Sequence, residues 1–246
     1  MPWTIVVHGG AGSAQDEVES PERMAVLRAA VAAGRQCLCE GGSALDAVQL
    51  AVERMEDSPL FNAGRGSAFH ALGGHEMDAA IMSGDRRCGA VAGLRTTKHP
   101  IRVARYVLEE SPHVFFSADG AERVARESGA EQASETYFAT GLRRVQLHRE
   151  LAEQQRELHR PPGRSNGTVG AVALDVAGHL AAATSTGGMT AKPPGRIGDS
   201  PVIGAGTFAS DCTCAVSGTG NGEVFLAHSV AATISAFVSD FSLFPS

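Results

Sequence analysis

The chain has 246 residues, of which 43% are hydrophobic and 20% charged, and its formal net charge is −6. These values are ordinary for a globular protein, and the length suits a single domain over residues 1–246. The negative charge argues against a nucleic-acid partner, because phosphate-binding proteins concentrate positive charge. No apolar stretch reaches the roughly 18 residues that a membrane-spanning helix needs. The N-terminus begins a strand almost at once, with no signal peptide. We therefore expect a soluble, cytoplasmic protein with no membrane partner.

The first predicted elements are a strand and two helices. Thr4–His8 is an apolar strand that runs into the glycine turn HGGAG, residues 8–12. Ser20 and Pro21 begin a helix that stops at the glycines after residue 40. Ser43 caps a second helix, which carries one apolar face: Leu45, Val48, Val52 and Met55. HGGAG lacks the Gly-Lys-Ser/Thr of a phosphate loop, so we interpret it as a tight turn that brings two backbones together.

The later elements alternate between strands and helices. Apolar stretches at 77–82 and 89–94 predict a strand pair with a turn near Gly84. Helices are predicted at 100–110, 120–128, 138–158 and 222–238, and strands at 168–175, 180–186 and 212–217. Strand blocks separated by helix pairs predict an α+β domain with its sheets inside helical layers.

The composition changes sharply at Gly167. Residues 147–167 are rich in Arg, Glu and Gln and end in Pro, Gly, Ser and Asn, which is typical of an exposed linker. A buried strand begins at Thr168. If the Gly167–Thr168 bond were cut, Thr168 would carry a hydroxyl beside an α-amine of pKa about 7.7–8.0, an activated nucleophile. Gly-Thr occurs three times in the chain, so the dipeptide alone equally suits the end of a loop.

Polar loops follow two of the later strands, where active sites of layered folds commonly collect. The Arg196 guanidinium suits a carboxylate and Asp199 suits an ammonium group, so together they could hold a zwitterion. The alternative is an ordinary surface ion pair. The Thr219-Gly220 turn could donate an N–H to an oxyanion, or it could simply end a strand. The chain lacks an HExxH motif, and it lacks a GxSxG elbow, the sharp turn from a strand into a helix that carries the nucleophile of serine hydrolases. This argues against metal-dependent and serine hydrolases.

Taken together, these motifs resemble one family. They are HGGAG (8–12), GGSALDAV (41–48), LFNAGRGS (60–67), MDAAIM (77–82), GTVGAVALD (167–175), TSTGGMTAKPPGRIGDSP (184–201), GAG (204–206) and SGTGNGE (217–223). In order and spacing they are similar to the plant-type L-asparaginase/isoaspartyl peptidase family of N-terminal-nucleophile hydrolases. The match runs from residue 4 to about residue 238 and is most specific over 167–223.

The resemblance implies a fold, a reaction and roles for individual residues. The fold is a four-layer αββα sandwich. Self-cleavage after Gly167 yields subunits 1–167 and 168–246, with Thr168 as the nucleophile and Thr186 hydrogen-bonded to it. Arg196 binds the substrate α-carboxylate, Asp199 binds its α-amine, and Thr219 with Gly220 stabilises the oxyanion. The full implied substrate site is Arg196, Ile197, Gly198, Asp199, Thr219, Gly220, Asn221, Gly222 and Asn62.

The implied reaction is hydrolysis of the side-chain amide of L-asparagine and of β-aspartyl dipeptides, with no required cofactor. One loop resembles the family's sodium-binding loop and could hold a structural sodium ion: Leu60, Phe61, Asn62, Ala63, Gly64 and Gly66. The mature enzyme would be a dimer of cleaved αβ heterodimers.

The chain departs from the family after the predicted helix at 222–238, where SAFVSDFSLFPS matches none of the family's further strands. We therefore expect a sandwich without those C-terminal strands. Three alternatives stay open: a catalytically silent remnant that does not process, a glycosylasparaginase-like amidase, and a threonine endopeptidase. The residues do not rank asparagine against β-aspartyl dipeptides.

Overall fold

The structure is a computed structural model that describes residues 2–11, 20–156 and 167–240. In this part of the chain the helices are α1 (Pro21–Cys39), α2 (Ala44–Glu56), α3 (Pro100–Glu110), α4 (Ala118–Glu127), α5 (Glu135–Phe138), α6 (Gly141–Arg156), α7 (Gly222–His228) and α8 (Val230–Asp240). The strands are β1 (Thr4–His8), β2 (Met77–Ser83), β3 (Cys88–Leu94), β4 (Phe115–Ser117), β5 (Val169–Leu174), β6 (Leu180–Thr186), β7 (Thr207–Ala209) and β8 (Ala215–Ser217).

The strands form two sheets. Six strands pair in the order β1-β5-β6-β2-β3-β4, and β7 pairs with β8 in a second sheet. All these pairs are antiparallel except β3 with β4. The strand that begins after Thr168 therefore lies inside the large sheet, between the N-terminal strand and β6.

The elements stack in four layers. Helices α2 and α3 pack on one face of the six-stranded sheet, β7 and β8 pack on the other face, and α8 covers β7 and β8. The larger core cluster lies between the helices and the six-stranded sheet, and a smaller one lies between the two sheets. This is the α+β, αββα arrangement expected from the sequence.

The predicted start signals of the first two helices are confirmed. The Ser20 hydroxyl accepts from Arg23 N, and Pro21 occupies the first turn. The Ser43 hydroxyl accepts a hydrogen bond from Asp46 N at 3.1 Å. The predicted apolar face of α2 is buried: Leu45, Val48, Val52 and Met55.

Two predictions about helices differ from the structure. The single helix predicted at 222–238 is two helices, because Ser229 has φ of 45° and its left-handed backbone ends α7. The charged helix predicted at 138–158 is α6, so the first part of the linker predicted at 147–167 is helical. Residues 147–156 continue α6, where Leu147 is buried against Phe69 and Ala191. Residues 157–166 lie outside the described residues.

No single helix in the described ranges is long and apolar enough to cross a membrane; the bent pair Gly222–His228 and Val230–Ser239 meets that test only when the two are taken together. Within the same ranges, no three His, Cys, Asp or Glu side chains group closely enough to hold a metal ion.

Candidate active site

The side chains of Thr168 and Thr186 meet in the interior of the sandwich. Strand β5 pairs with β6 so that Val169 lies opposite Ser185, which brings Thr168 beside Thr186. Thr168 Oγ1 donates to Thr186 Oγ1 at 3.0 Å, and both residues are buried. Thr186 Oγ1 also accepts a hydrogen bond from Gly188 N at 3.0 Å. The predicted nucleophile and its predicted partner are thus in direct contact.

The backbone on the other side of the predicted cleavage bond has an unusual conformation. Gly167 has φ of +99°, a region that residues with a side chain rarely adopt. Its carbonyl oxygen accepts a hydrogen bond from Asn62 N at 3.2 Å. Gly10 packs so closely on Gly167 that a Cβ on Gly10 would lie 2.1 Å from Gly167 Cα. The HGGAG turn therefore brings backbone against backbone, as predicted, and it does so at the predicted cleavage site.

The Asn62 side chain links the loop 60–66 to the segment that follows Thr186. Its Nδ2 donates to Gly188 O at 2.6 Å, and its Oδ1 accepts from Ala68 N at 2.7 Å. Because Gly188 N bonds Thr186, Asn62 fixes the segment that positions the Thr186 hydroxyl. Asn62 therefore contacts Gly167, which directly precedes Thr168, and Gly188, which bonds Thr186.

Arg196 and Asp199 converge on Gly222 at the start of α7. A Cβ on Gly222 would lie 2.8 Å from Arg196 Nη2 and 2.9 Å from Asp199 Oδ1, so the two side-chain ends occupy the space that the missing side chain of Gly222 leaves. Arg196 Nε and Nη2 donate to Glu223 Oε1 at 3.0 and 2.8 Å, which orients the guanidinium. Burial raises the pKa of Asp199, and the Arg196 charge acts against that shift. A cation bound at Asp199 would favour its ionised form.

The remaining predicted substrate residues lie around this pair. Ile197 is 37% exposed, whereas Asp199 is 6% exposed, so Ile197 turns toward solvent. Gly198 packs against the Arg196 guanidinium. Asn221 caps α7, its Oδ1 accepting from Glu223 N at 3.2 Å. Thr219 Oγ1 is buried with no hydrogen-bond partner in the described ranges. Such a group is free to bond a ligand, since an unpaired buried hydroxyl otherwise costs free energy.

The loop predicted to hold sodium brings backbone oxygens together. A Cβ on Gly66 would lie 2.1 Å from Phe61 O and 2.7 Å from Pro59 O. Gly66 O accepts from the buried Arg143 guanidinium. Carbonyl oxygens are the ligands that hard cations prefer, so the chemistry of Pro59 O and Phe61 O fits a sodium ion.

Sequence reasoning missed a chain of polar side chains between the two sheets. His8 Nε2 lies 3.0 Å from Ser217 Oγ, which lies 2.7 Å from Thr184 Oγ1. Thr207 Oγ1 donates to Thr184 Oγ1 at 2.7 Å. Burial lowers the pKa of His8 to about 4, so its imidazole is neutral at pH 7. These residues are far apart in the chain, and no local pattern could have joined them.

Comparison with known proteins agrees with this geometry. A family model described as Asparaginase matches residues 1–244. The isoaspartyl peptidase of Escherichia coli (strain K12) is 46% identical over 244 residues, covering 95% of this chain and 76% of that protein. The isoaspartyl peptidase/L-asparaginase of Bos taurus is 45% identical over 230 residues, covering 92% and 73%. A probable isoaspartyl peptidase/L-asparaginase 2 of Arabidopsis thaliana is 41% identical over 263 residues, covering 95% and 80%. The chain therefore belongs to the asparaginase/isoaspartyl peptidase family.

Proposed function

We propose that this protein is a threonine-nucleophile hydrolase that acts on L-asparagine and β-aspartyl dipeptides after cutting its own chain between Gly167 and Thr168. The observation that carries the proposal is the 3.0 Å hydrogen bond from Thr168 Oγ1 to Thr186 Oγ1, directly after the left-handed Gly167. The names of the relatives support the substrate class.

Self-cleavage begins when Thr168 Oγ1 attacks the Gly167 carbonyl carbon. The oxygen that becomes negative is the one bonded to Asn62 N. Such a donor stabilises the developing charge. The bond to the Thr168 nitrogen then breaks, and water hydrolyses the resulting ester. The products are 1–167 and 168–246, with a free amine on Thr168.

In the mature enzyme that amine takes the proton of its own hydroxyl, since its pKa is near working pH. The Arg196 guanidinium pairs with the substrate α-carboxylate, and Asp199 pairs with its ammonium group. The oxyanion is bonded at Thr219 and Gly220, and an acyl-enzyme forms as ammonia or an amino acid leaves. Water then releases aspartate, and no cofactor takes part in these steps.

Three further features belong to the proposal. A structural sodium ion would be held beside the loop 60–66 by the carbonyl oxygens of Pro59 and Phe61. The mature protein is a dimer of cleaved αβ heterodimers. Its location is the cytoplasm, which rests on the sequence alone.

Fragment masses after purification test this function. The wild-type chain should yield two polypeptides split between residues 167 and 168, and Thr168→Ala should remain one chain. Thr168→Ser, which keeps a hydroxyl and an amine, is the matched control and should still be cut. The mature wild type should release aspartate from asparagine or from a β-aspartyl dipeptide. A wild-type chain that stays intact and releases no aspartate would favour the silent alternative.

A further inference from the structure

Three polar side chains lie in one row across the six-stranded sheet. Thr168 lies beside Thr186 on one side, and Asp78 lies directly opposite Thr186 on the other. Directly paired residues of antiparallel strands point to the same face, with Cβ atoms about 4.5–5.5 Å apart. Thr186 therefore has the nucleophile on one side and a carboxylate on the other.

Asp78 is buried without a complete set of hydrogen bonds. It is 1% exposed, and its Oδ1 accepts from Gly93 N at 2.9 Å, while Oδ2 has no partner in the described ranges. The pairing of β2 with β3 is irregular at this position, between Met77 and Ala79. Irregular pairing of this kind re-aims side chains and is common beside active sites. An unpaired buried carboxylate oxygen costs free energy, so stability does not account for Asp78.

Charged groups of both signs surround Asp78. Lys192 is 3% exposed, and its Nζ donates at 2.8 Å to the carbonyl oxygen of Glu76, two residues before Asp78 in the chain. Burial raises the pKa of Asp78, the charges of Lys192 and Arg196 oppose that shift, and Glu76 adds to it. Asp199 is a further acidic group that interacts with Asp78. The result is a carboxylate that is a stronger base than an exposed aspartate.

The intact chain needs a base that the mature enzyme does not. Before cleavage the Thr168 nitrogen is part of the peptide bond, so it cannot take the hydroxyl proton. Thr186 Oγ1 accepts from Thr168 Oγ1 and from Gly188 N. Both of its acceptor positions are then used, and its own proton remains to be donated.

We propose that Asp78 takes up, through Thr186, the proton that Thr168 loses during self-cleavage. The proton of Thr168 Oγ1 moves to Thr186 Oγ1, and the proton of Thr186 moves to Asp78, by a rotation of the carboxyl group or through one bridging water. Thr168 Oγ1 bonds to the Gly167 carbon. When the C–N bond breaks, the proton returns along the row to the leaving Thr168 nitrogen. Asp78 acts through Thr186 and does not touch the reacting atoms, so it is a positioning residue for this step.

This inference rests on the proposed function, and its test is the rate of self-cleavage of freshly made full-length chain as a function of pH. The wild-type rate should rise with pH as Asp78 ionises. Asp78→Asn should slow cleavage by about 10²- to 10⁴-fold, the usual contribution of acid–base assistance, and should remove the rise with pH. Circular dichroism at each pH verifies that the variant is folded.

Glu56→Gln is the matched control. Glu56 is a fully buried carboxylate that accepts from Ser185 Oγ at 2.6 Å, on the opposite face of β6. The Glu56→Gln variant should keep the rise of the self-cleavage rate with pH. If Asp78→Asn is cut as fast as wild type, or is slowed but keeps the rise with pH, the inference is wrong. A wild-type chain that is never cut contradicts the proposed function instead.

Lys192→Met gives a second readout that does not depend on how Asp78→Asn folds. Removing the nearby positive charge should raise the pKa of Asp78 further. The rise in cleavage rate should then move to higher pH, with the same plateau. An unmoved profile would contradict the assignment of this titration to Asp78.

Discussion

The six-stranded sheet presents one face to helices α2 and α3 and the other to β7 and β8, and the two faces differ in chemistry. The helix-facing side is apolar and close-packed, with Ala79, Ile81, Val169 and Ala183 in the larger core cluster. The opposite side carries Thr168, Thr184, Thr186, His8 and Asp78, and its core cluster has few members.

Strand β6 places polar side chains on both faces of the six-stranded sheet. In β6, Ser185 points to α2 and bonds Glu56, while Thr184 and Thr186 on either side point to the second sheet. This alternation follows from the two-residue period of a strand. The comparison indicates that folding free energy comes mainly from the helix-facing side, and we expect the proposed chemistry to lie between the sheets. The predictions below test that division.

The largest expected effect is on activity. It compares the replacement of Arg196 with that of Arg105, an equally buried arginine on the opposite side of the molecule. Arg196 and Arg105 each have side chains 16% exposed and each pair with a carboxylate, Glu223 and Asp46 respectively. Arg196→Ala should lower kcat/KM for asparagine or a β-aspartyl dipeptide by about 10²- to 10³-fold, since losing one buried charge partner costs about 2–5 kcal/mol. Arg105→Ala should keep the wild-type kcat/KM. Equal losses of kcat/KM in both variants would contradict the division between a stabilising helix-facing side and a catalytic side between the sheets.

The next effect concerns stability. Ile81 is fully buried on the helix-facing side of β2. Ile81→Ala should lower the free energy of unfolding by about 2–5 kcal/mol, because it leaves a cavity in the larger core, and Ile81→Val by about 0.5–1.5 kcal/mol. Denaturant unfolding measures both. Well below the melting temperature kcat/KM should not change, and a parallel loss of activity would show that the two faces are coupled.

The smallest effect is the acid sensitivity that His8 confers. Burial lowers the pKa of His8 and of His75 to about 4. The folded state then binds fewer protons than the unfolded state, so stability is fully present above pH 6.5 and is lost as the pH falls toward 4. His8→Gln should reduce the stability that is lost between pH 6.5 and pH 4 by no more than about 3 kcal/mol. The part of the loss that His75 causes should remain. Melting temperatures of wild type and variant from pH 4 to pH 7 measure this effect. If His8→Gln leaves the pH dependence of the melting temperature unchanged, the lowered pKa of His8 is contradicted.

Local patterns predicted the elements that have local causes. Ser20, Ser43 and the apolar spacing of α2 correctly located two helices, and the change of composition at Gly167 correctly located the start of β5. The short strands β4 and β7 were missed, whereas β8, also three residues long, lies within the strand predicted at 212–217. The break at Ser229 was also missed, because nothing in the apolar run around it marks a left-handed residue.

The sequence by itself determined the family and the four-layer fold, and it predicts the site residues Thr168, Thr186, Arg196 and Asp199, because these lie in contiguous motifs. Only the tertiary structure decided which distant groups join them. Strand pairing places Asp78 opposite Thr186 and His8 against Ser217. The Gly10 turn likewise meets Gly167 only in the fold. The physical reason is that strand register and layer packing depend on the whole sheet, whereas a motif reports only its own neighbours in the chain.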